Sequence, residues 1–452
     1  MPKLRVTTSI WREAPPERGE VAEISFDGFI DAANYAKFEE ALEKAHQADI
    51  RSLILDFRNV HYINSTGISA VVRYYELFKE RGGVLCLANV TKPVGLSMHL
   101  LGVTSFVPFL KDVAAAREHV ARHPPESSAV PHEVAEGSER GPGAVGEWEE
   151  EGGPALVIPG VDLAHPPLRI PVWRRKAPRL EKARVLFVTP LKGRFARILR
   201  LRFQGLDGEY ELLHDVKEAL DRYDELVPDL VILDGRADPA GEFVNRLKIQ
   251  KERSLTSVIK FYEKEADLDR QLDFKIWEND YLVEPFEILE LFSLAEAELV
   301  RVPKDRKVLQ QQLSFEFRTT PQNVEKACKL VDLVLRQSVA TQEDGTAMYA
   351  AVKEGIDNAV LHGNRWDPAK TVDVNILVDK KKVTVIVEDQ GEGFDFDYYL
   401  RRLDDTEAFE KAKRRILEEG IRGGLGILLM YKCTDRLEYS GAGNILRLEK
   451  NI

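Results

Sequence analysis

The chain has 452 residues, 44% hydrophobic and 31% charged, an ordinary globular composition with room for three domains and a connecting segment. Its net charge of −11 argues against general nucleic-acid binding, which needs a basic face. Cys86, Cys328 and Cys433 have no metal-ligand spacing and suit a reducing compartment; with no signal-peptide pattern and no apolar run of membrane-spanning length, a cytoplasmic chain without membrane contact is expected.

Residues 1–122 alternate strand and helix. Val21 to Phe26 reads as a strand, Ala32 to Ala48 as an amphipathic helix and Ser52 to Phe57 as a buried strand. Val60-His-Tyr-Ile-Asn64-Ser65-Thr66-Gly67 leads into a helix reaching Arg81, and Val84 to Ala88 is the next strand. Asn64 or Ser65 is suited to cap that helix, because a short polar side chain satisfies its free amides. Residues 123–182 are rich in Pro, Gly, Ser and acid, a composition that buries no core and reads as a mostly disordered linker. Residues 183–302 alternate again. Arg184 to Val188, Asp229 to Asp234 and Ser257 to Phe261 are strands, and Asp280 to Phe286 precedes an amphipathic helix.

The chemistry concentrates in residues 303–452. Leu313 to Phe317 alternates as a strand, and Gln322 to Val339 is a long amphipathic stretch. Glu354, Asn358 and His362 are spaced by four and share a helix face; Met348, Val352, Ile356 and Ala359 lie opposite and would dock the helix on a sheet. A carboxylate, an amide and an imidazole on one face suit a magnesium–nucleotide complex. Asn358 can give the hard cation an oxygen ligand, and Glu354 can orient or deprotonate an attacking hydroxyl. Taken alone, the spacing also describes a solvated helix face. Val383 to Val387 is a β-branched strand ending at Asp389, with Gly391 and Gly393 beyond. A carboxylate there can accept from a base amine while the glycines admit the ligand, although Asp and Gly equally favour a tight turn. Gly423-Gly424-Leu425-Gly426 runs into the apolar helix start Ile427 to Met430. Free amides and the helix dipole attract phosphate at such a place, and glycines before a helix also serve as a flexible connection.

These three blocks, in this order, resemble the GHKL-type ATPase fold, in the branch of anti-sigma-factor serine kinases. The resemblance implies ATP and Mg2+ as cofactors, Asp389 as the adenine anchor and a lid over Asp395 to Arg422. No phosphoacceptor-histidine hairpin is seen upstream, which favours a serine/threonine kinase over a sensor histidine kinase. Residues 1–122 resemble the STAS domain of anti-sigma-factor antagonists, whose Asp-Ser-Ser/Thr-Gly motif carries a phosphorylated serine. Ser65 matches that phosphoacceptor, and Asn64 replaces the acid. Residues 183–302 look like a response-regulator receiver with Asp234 at the phosphoacceptor position. There, however, Thr189-Pro190 stands for the usual acidic pair and Glu284 for the usual lysine, so Asp234 is expected to be inert and the segment to serve dimerisation or docking.

The expected fold class is multidomain α/β and α+β. It comprises a STAS α/β domain (1–122), a linker (123–182), a degenerate receiver-like parallel α/β domain (183–302) and a GHKL ATPase α/β sandwich (303–452). The expected function is that of a bacterial partner-switching regulator, a protein-serine kinase fused to its own antagonist. Its expected partners are STAS antagonist domains, a sigma factor and a second copy of the chain, with no nucleic acid and no membrane. The alternative is a nucleotide-binding, non-catalytic adaptor for the same partners.

Overall fold

The computed structural model describes residues 4–12, 20–48, 50–122, 183–191, 197–201, 209–265, 267, 273–339, 341–400 and 425–452. The expected linker, most of the expected lid, and Gly423 and Gly424 lie outside the described residues.

Three sheets organise the fold. The first has the order β1 (Arg5–Arg12), β2 (Glu20–Ile30), β3 (Ser52–Ile63), β4 (Leu85–Ala88), β5 (Phe109–Leu110). The β1–β2 pair is antiparallel and the rest are parallel. From Ala22 onward, buried positions of β2 alternate with half-exposed ones, as one buried face requires. Helices α1 (Tyr35–Gln47) and α2 (Ser65–Glu80) pack together beside this sheet through Phe38, Leu42, Tyr74 and Phe78. Asn64 caps α2, its side-chain oxygen accepting from Gly67 N at 2.9 Å. A further helix, α3 (Lys92–Leu100), follows β4.

The second sheet is parallel throughout. It contains β6 (Arg184–Val188), β7 (Glu209–Leu213), β8 (Leu230–Asp234), β9 (Ser257–Tyr262) and β11 (Asp280–Val283), ordered β11-β9-β8-β6-β7. Counted within its own segment this is the 2-1-3-4-5 order of doubly wound folds. Strands β8 and β9 are buried along their whole length rather than alternately, β9 with Ser257 and Lys260 among its buried residues. Helix α4 (Ile288–Val308) leaves this sheet and runs directly into the third.

That third sheet is antiparallel, ordered β10 (Phe274–Ile276), β12 (Leu309–Arg318), β13 (Thr371–Asp379), β14 (Lys382–Asp389), β16 (Ile445–Asn451), β15 (Arg436–Ser440). Its edge strand β10 lies in sequence between β9 and β11, so a short insertion of the parallel layer completes the antiparallel one. Three helices pack against the sheet: α5 (Pro321–Ser338), α6 (Gln342–Asn358) and α7 (Leu425–Cys433). Gly355 lets α6 sit close to the sheet, since a Cβ there would stand 2.6 Å from Leu446 Cδ2. The described residues of all three sheets belong to one compact unit. Within it, α2 and α3 of the first layer pack on α6 and α7.

Candidate active site

The apolar residues Met348, Val352 and Ile356 bury one side of α6, as the periodicity predicts. The polar side of that helix is no solvated face: Glu354 is only 2% exposed, because the first domain covers it. Ser65, at the first turn of α2 and 8% exposed, donates its hydroxyl hydrogen bond to Glu354 Oε1. Its backbone amide donates to Glu354 Oε2 at 3.0 Å. Both carboxylate oxygens are therefore held by one serine 289 residues away in sequence. Burial raises the Glu354 carboxyl above its ordinary pKa, against the lowering effect of those two hydrogen bonds.

Gly426, on α7, makes the approach feasible. A Cβ at this position would fall on Glu354 Oε1 and 3.1 Å from Ser65 Oγ.

A cavity of about 280 Å³ opens beside this contact, lined by Ser65, Asn358, His362, Asp389, Gly393 and Gly426 among others. Asn358 is the last residue of α6; the next five, Ala359–Gly363, form a wider π-turn. His362 thus reaches the cavity from that turn at an exposed position and does not continue the α-helical face of Glu354 and Asn358. Desolvation of its ring lowers its pKa.

Asp389 ends β14, and its Oδ1 accepts from Gly391 N at 2.8 Å. Burial raises its carboxyl, with that amide acting in the opposite direction. Gly393 takes a φ of +78°, which a residue with a side chain rarely adopts, and a Cβ there would fall on the Ala442 carbonyl. Gly391 lies against Gly363 O, where a Cβ would stand at 2.6 Å.

Residues 317–450 match the histidine kinase-like ATPase domain family, and residues 14–116 match the STAS domain family. The chain joins a STAS domain to a histidine kinase-like ATPase domain. It is 24% identical over 131 residues to the anti-sigma F factor of Bacillus cytotoxicus, a span of 29% of this chain and 83% of that protein. Over 130 residues it is 26% identical to the anti-sigma F factor of Clostridium perfringens strain SM101, covering 29% and 86%. Among solved structures it is similar to an anti-sigma factor antagonist from Mycobacterium paratuberculosis (20% identity, TM-score 0.23, 26% of this chain and 95% of that one). Another is a response regulator receiver modulated diguanylate cyclase from Pelobacter carbinolicus (24% identity, TM-score 0.18, 26% and 97%). The ATPase-domain match implies ATP binding.

Two asparagines of the ATPase domain to which the sequence pattern assigns no role hold the site in shape. Asn364 is buried at the end of the π-turn. Its amide donates to Thr319 Oγ1 at 3.0 Å and Thr371 O at 2.8 Å, and its oxygen accepts from Gln390 N at 2.9 Å. It thereby ties the helix end to the Asp389 turn. Asn444 pairs its backbone oxygen and side-chain amide with the Asp389 backbone at 3.0 and 3.1 Å. The Gly441-Ala-Gly443-Asn444 turn chemistry is the signal that could have pointed to it.

The parallel layer carries a second acidic centre, already engaged. Asp234 is fully buried at the end of β8 and accepts from Thr189 Oγ1 at 2.6 Å. Arg236 Nε reaches Asp234 Oδ1 at 2.8 Å and its Nη2 reaches Oδ2 at 3.1 Å. The same guanidinium binds Glu284 at 2.8 Å. A local arginine therefore supplies the cation here, its single charge shared between Asp234 and Glu284. Among the described residues no cluster of His, Cys, Asp or Glu suits a metal ion, and no helix is long and apolar enough to cross a membrane.

Proposed function

We propose that this chain is an ATP- and Mg2+-dependent protein-serine kinase of the anti-sigma-factor type whose phosphoacceptor, Ser65, is carried by its own STAS domain. The observation that carries this reading is the Ser65 hydroxyl donating to the Glu354 carboxylate at the edge of the cavity. A kinase base has to reach the hydroxyl whose proton it removes, and Glu354 does so.

The residues fit a magnesium–nucleotide complex. Asp389 offers a partly buried acceptor for an adenine amine, and Asn358 a side-chain oxygen for a hard cation. The absent side chains at Gly363 and Gly391 leave the Asp389 corner free of Cβ atoms that would collide with it. Gly423, Gly424 and Gly426 precede or open α7, whose amino end is suited to phosphate. When bound, the nucleotide supplies the phosphoryl group and the cation offsets its charge. Glu354 orients the Ser65 hydroxyl and takes its proton, and the buried interface keeps water from the reacting oxygen.

The kinship with anti-sigma F factors supports a place in partner switching, with STAS domains, a sigma factor and a second copy of the chain as partners. The module limits we propose are 1–122, 123–182, 183–302 and 303–452, the third being a pseudo-receiver that lends β10 to the ATPase sheet.

The test is incubation of the full chain with magnesium and labelled ATP, followed by phosphosite mapping. Label on Ser65 that is lost in Glu354→Gln and Asn358→Ala is the expected result. Tight ATP binding without label on any serine would overturn the kinase reading and favour a nucleotide-binding adaptor.

A further inference from the structure

Three buried charged groups at the same interface have no part in that chemistry. Lys353 and Asp357, one turn apart on α6, are each 3% exposed, and Asp31, just after β2 in the STAS domain, is 6% exposed. Lys353 Nζ lies 3.3 Å from Asp357 Oδ2 and 3.6 Å from Asp31 Oδ2. It also sits 4.3 Å from the ring centroid of Tyr62 in the STAS domain. Asp31 divides its oxygens between two tasks. Oδ1 accepts from the backbone and side-chain amides of Asn34 at 3.2 and 3.0 Å, at the start of α1, while Oδ2 faces the lysine.

A buried charge is tolerated only when it is paired. Burial disfavours the Lys353 ammonium, and the Asp357 and Asp31 carboxylates overcome that and hold it protonated. Lys353 directly precedes Glu354, so the group that grips Asp31 and the group that grips Ser65 are fixed on one rigid helix.

We propose that Lys353 and Asp31 form the register key by which this ATPase domain selects its own STAS surface and places Ser65 on Glu354. Lys353 is then a positioning and specificity-determining residue. A STAS surface with a basic residue in place of Asp31 sets a second cation against the buried Lys353 and is refused, while a neutral one leaves Lys353 paired with Asp357 but removes the attraction between the two domains. This inference deepens, and rests on, the reading of Ser65 as phosphoacceptor.

Asp31→Asn in the full chain tests it, because asparagine keeps an oxygen that can accept from Asn34 at the start of α1 and removes only the charge. Two quantities are read: the rate of Ser65 phosphorylation, and hydrogen exchange of the Ser65 amide, which the contact with Glu354 protects. The expected result is a fall of roughly tenfold or more in the rate and faster exchange, with ATP affinity unchanged. The charge-swapped chain, Asp31→Lys with Lys353→Asp, recovers both relative to either single reversal. If Asp31→Asn leaves rate and exchange as they were, the key does not exist; a folded swap without recovery has the same meaning. If the unaltered chain never labels Ser65 yet Asp31→Asn speeds exchange, the kinase reading fails while the key stands.

Discussion

At Glu354 burial and hydrogen bonding pull the carboxyl pKa in opposite directions, and burial prevails. The sign of the consequence is clear: a base with a raised pKa is lost to protonation at a pH above the ordinary carboxylate range. Ser65 phosphorylation should therefore decline as pH falls, before ordinary carboxylates titrate, and a pH–rate profile measures this. Glu354→Gln should remove that limb and slow transfer by about 10²- to 10⁴-fold. Gly426 gives a second residue-level prediction. Its missing Cβ leaves room for the serine–glutamate contact, so Gly426→Ala should slow Ser65 labelling more than it weakens ATP binding, the two being measured side by side. The glycine was legible as a helix-start residue suited to phosphate. That it also borders Ser65 was not, because the serine comes from a different domain.

Among the elements, α6 and the turn behind it decide the shape of the cavity. The spacing of Glu354, Asn358 and His362 describes an α-helix, and α-helix geometry holds as far as Asn358. Beyond it the π-turn shifts His362, a change of winding that no four-residue spacing reveals. Asn364 then fastens the turn with three hydrogen bonds. Asn364→Ala should destabilise the ATPase domain by about 1–3 kcal/mol, read by urea unfolding, since it leaves buried partners unsatisfied. In the parallel layer, the strand end at Asp234 and the substitutions Thr189 and Glu284 were readable in order along the chain. Arg236 was not, although it is only two residues away; its bidentate grip depends on the turn after β8 folding back. Acetyl phosphate should leave Asp234 unmodified in an intact-mass measurement.

For the molecule as a whole, the STAS domain lies on the helix that carries the candidate base, and a negative charge on Ser65 would stand against the buried Glu354 carboxylate. Like charges in a site of low polarity repel strongly. Ser65→Glu should therefore release the STAS domain from α6, seen as faster hydrogen exchange in peptides covering Lys353 to Asp357. The pieces are set locally along the chain. Strand and helix periods, the Asn64 cap, the Asp389–Gly393 turn and the defective acidic pocket are written in contiguous residues, where local sterics and hydrogen bonding act. Which pieces meet is settled by the packing of the folded domains. The pairing of Ser65 with Glu354, the clasp of Lys353 on Asp31 and the loan of β10 to another sheet join residues far apart in the chain. Such contacts follow from the burial and complementarity of whole surfaces, which no local period encodes.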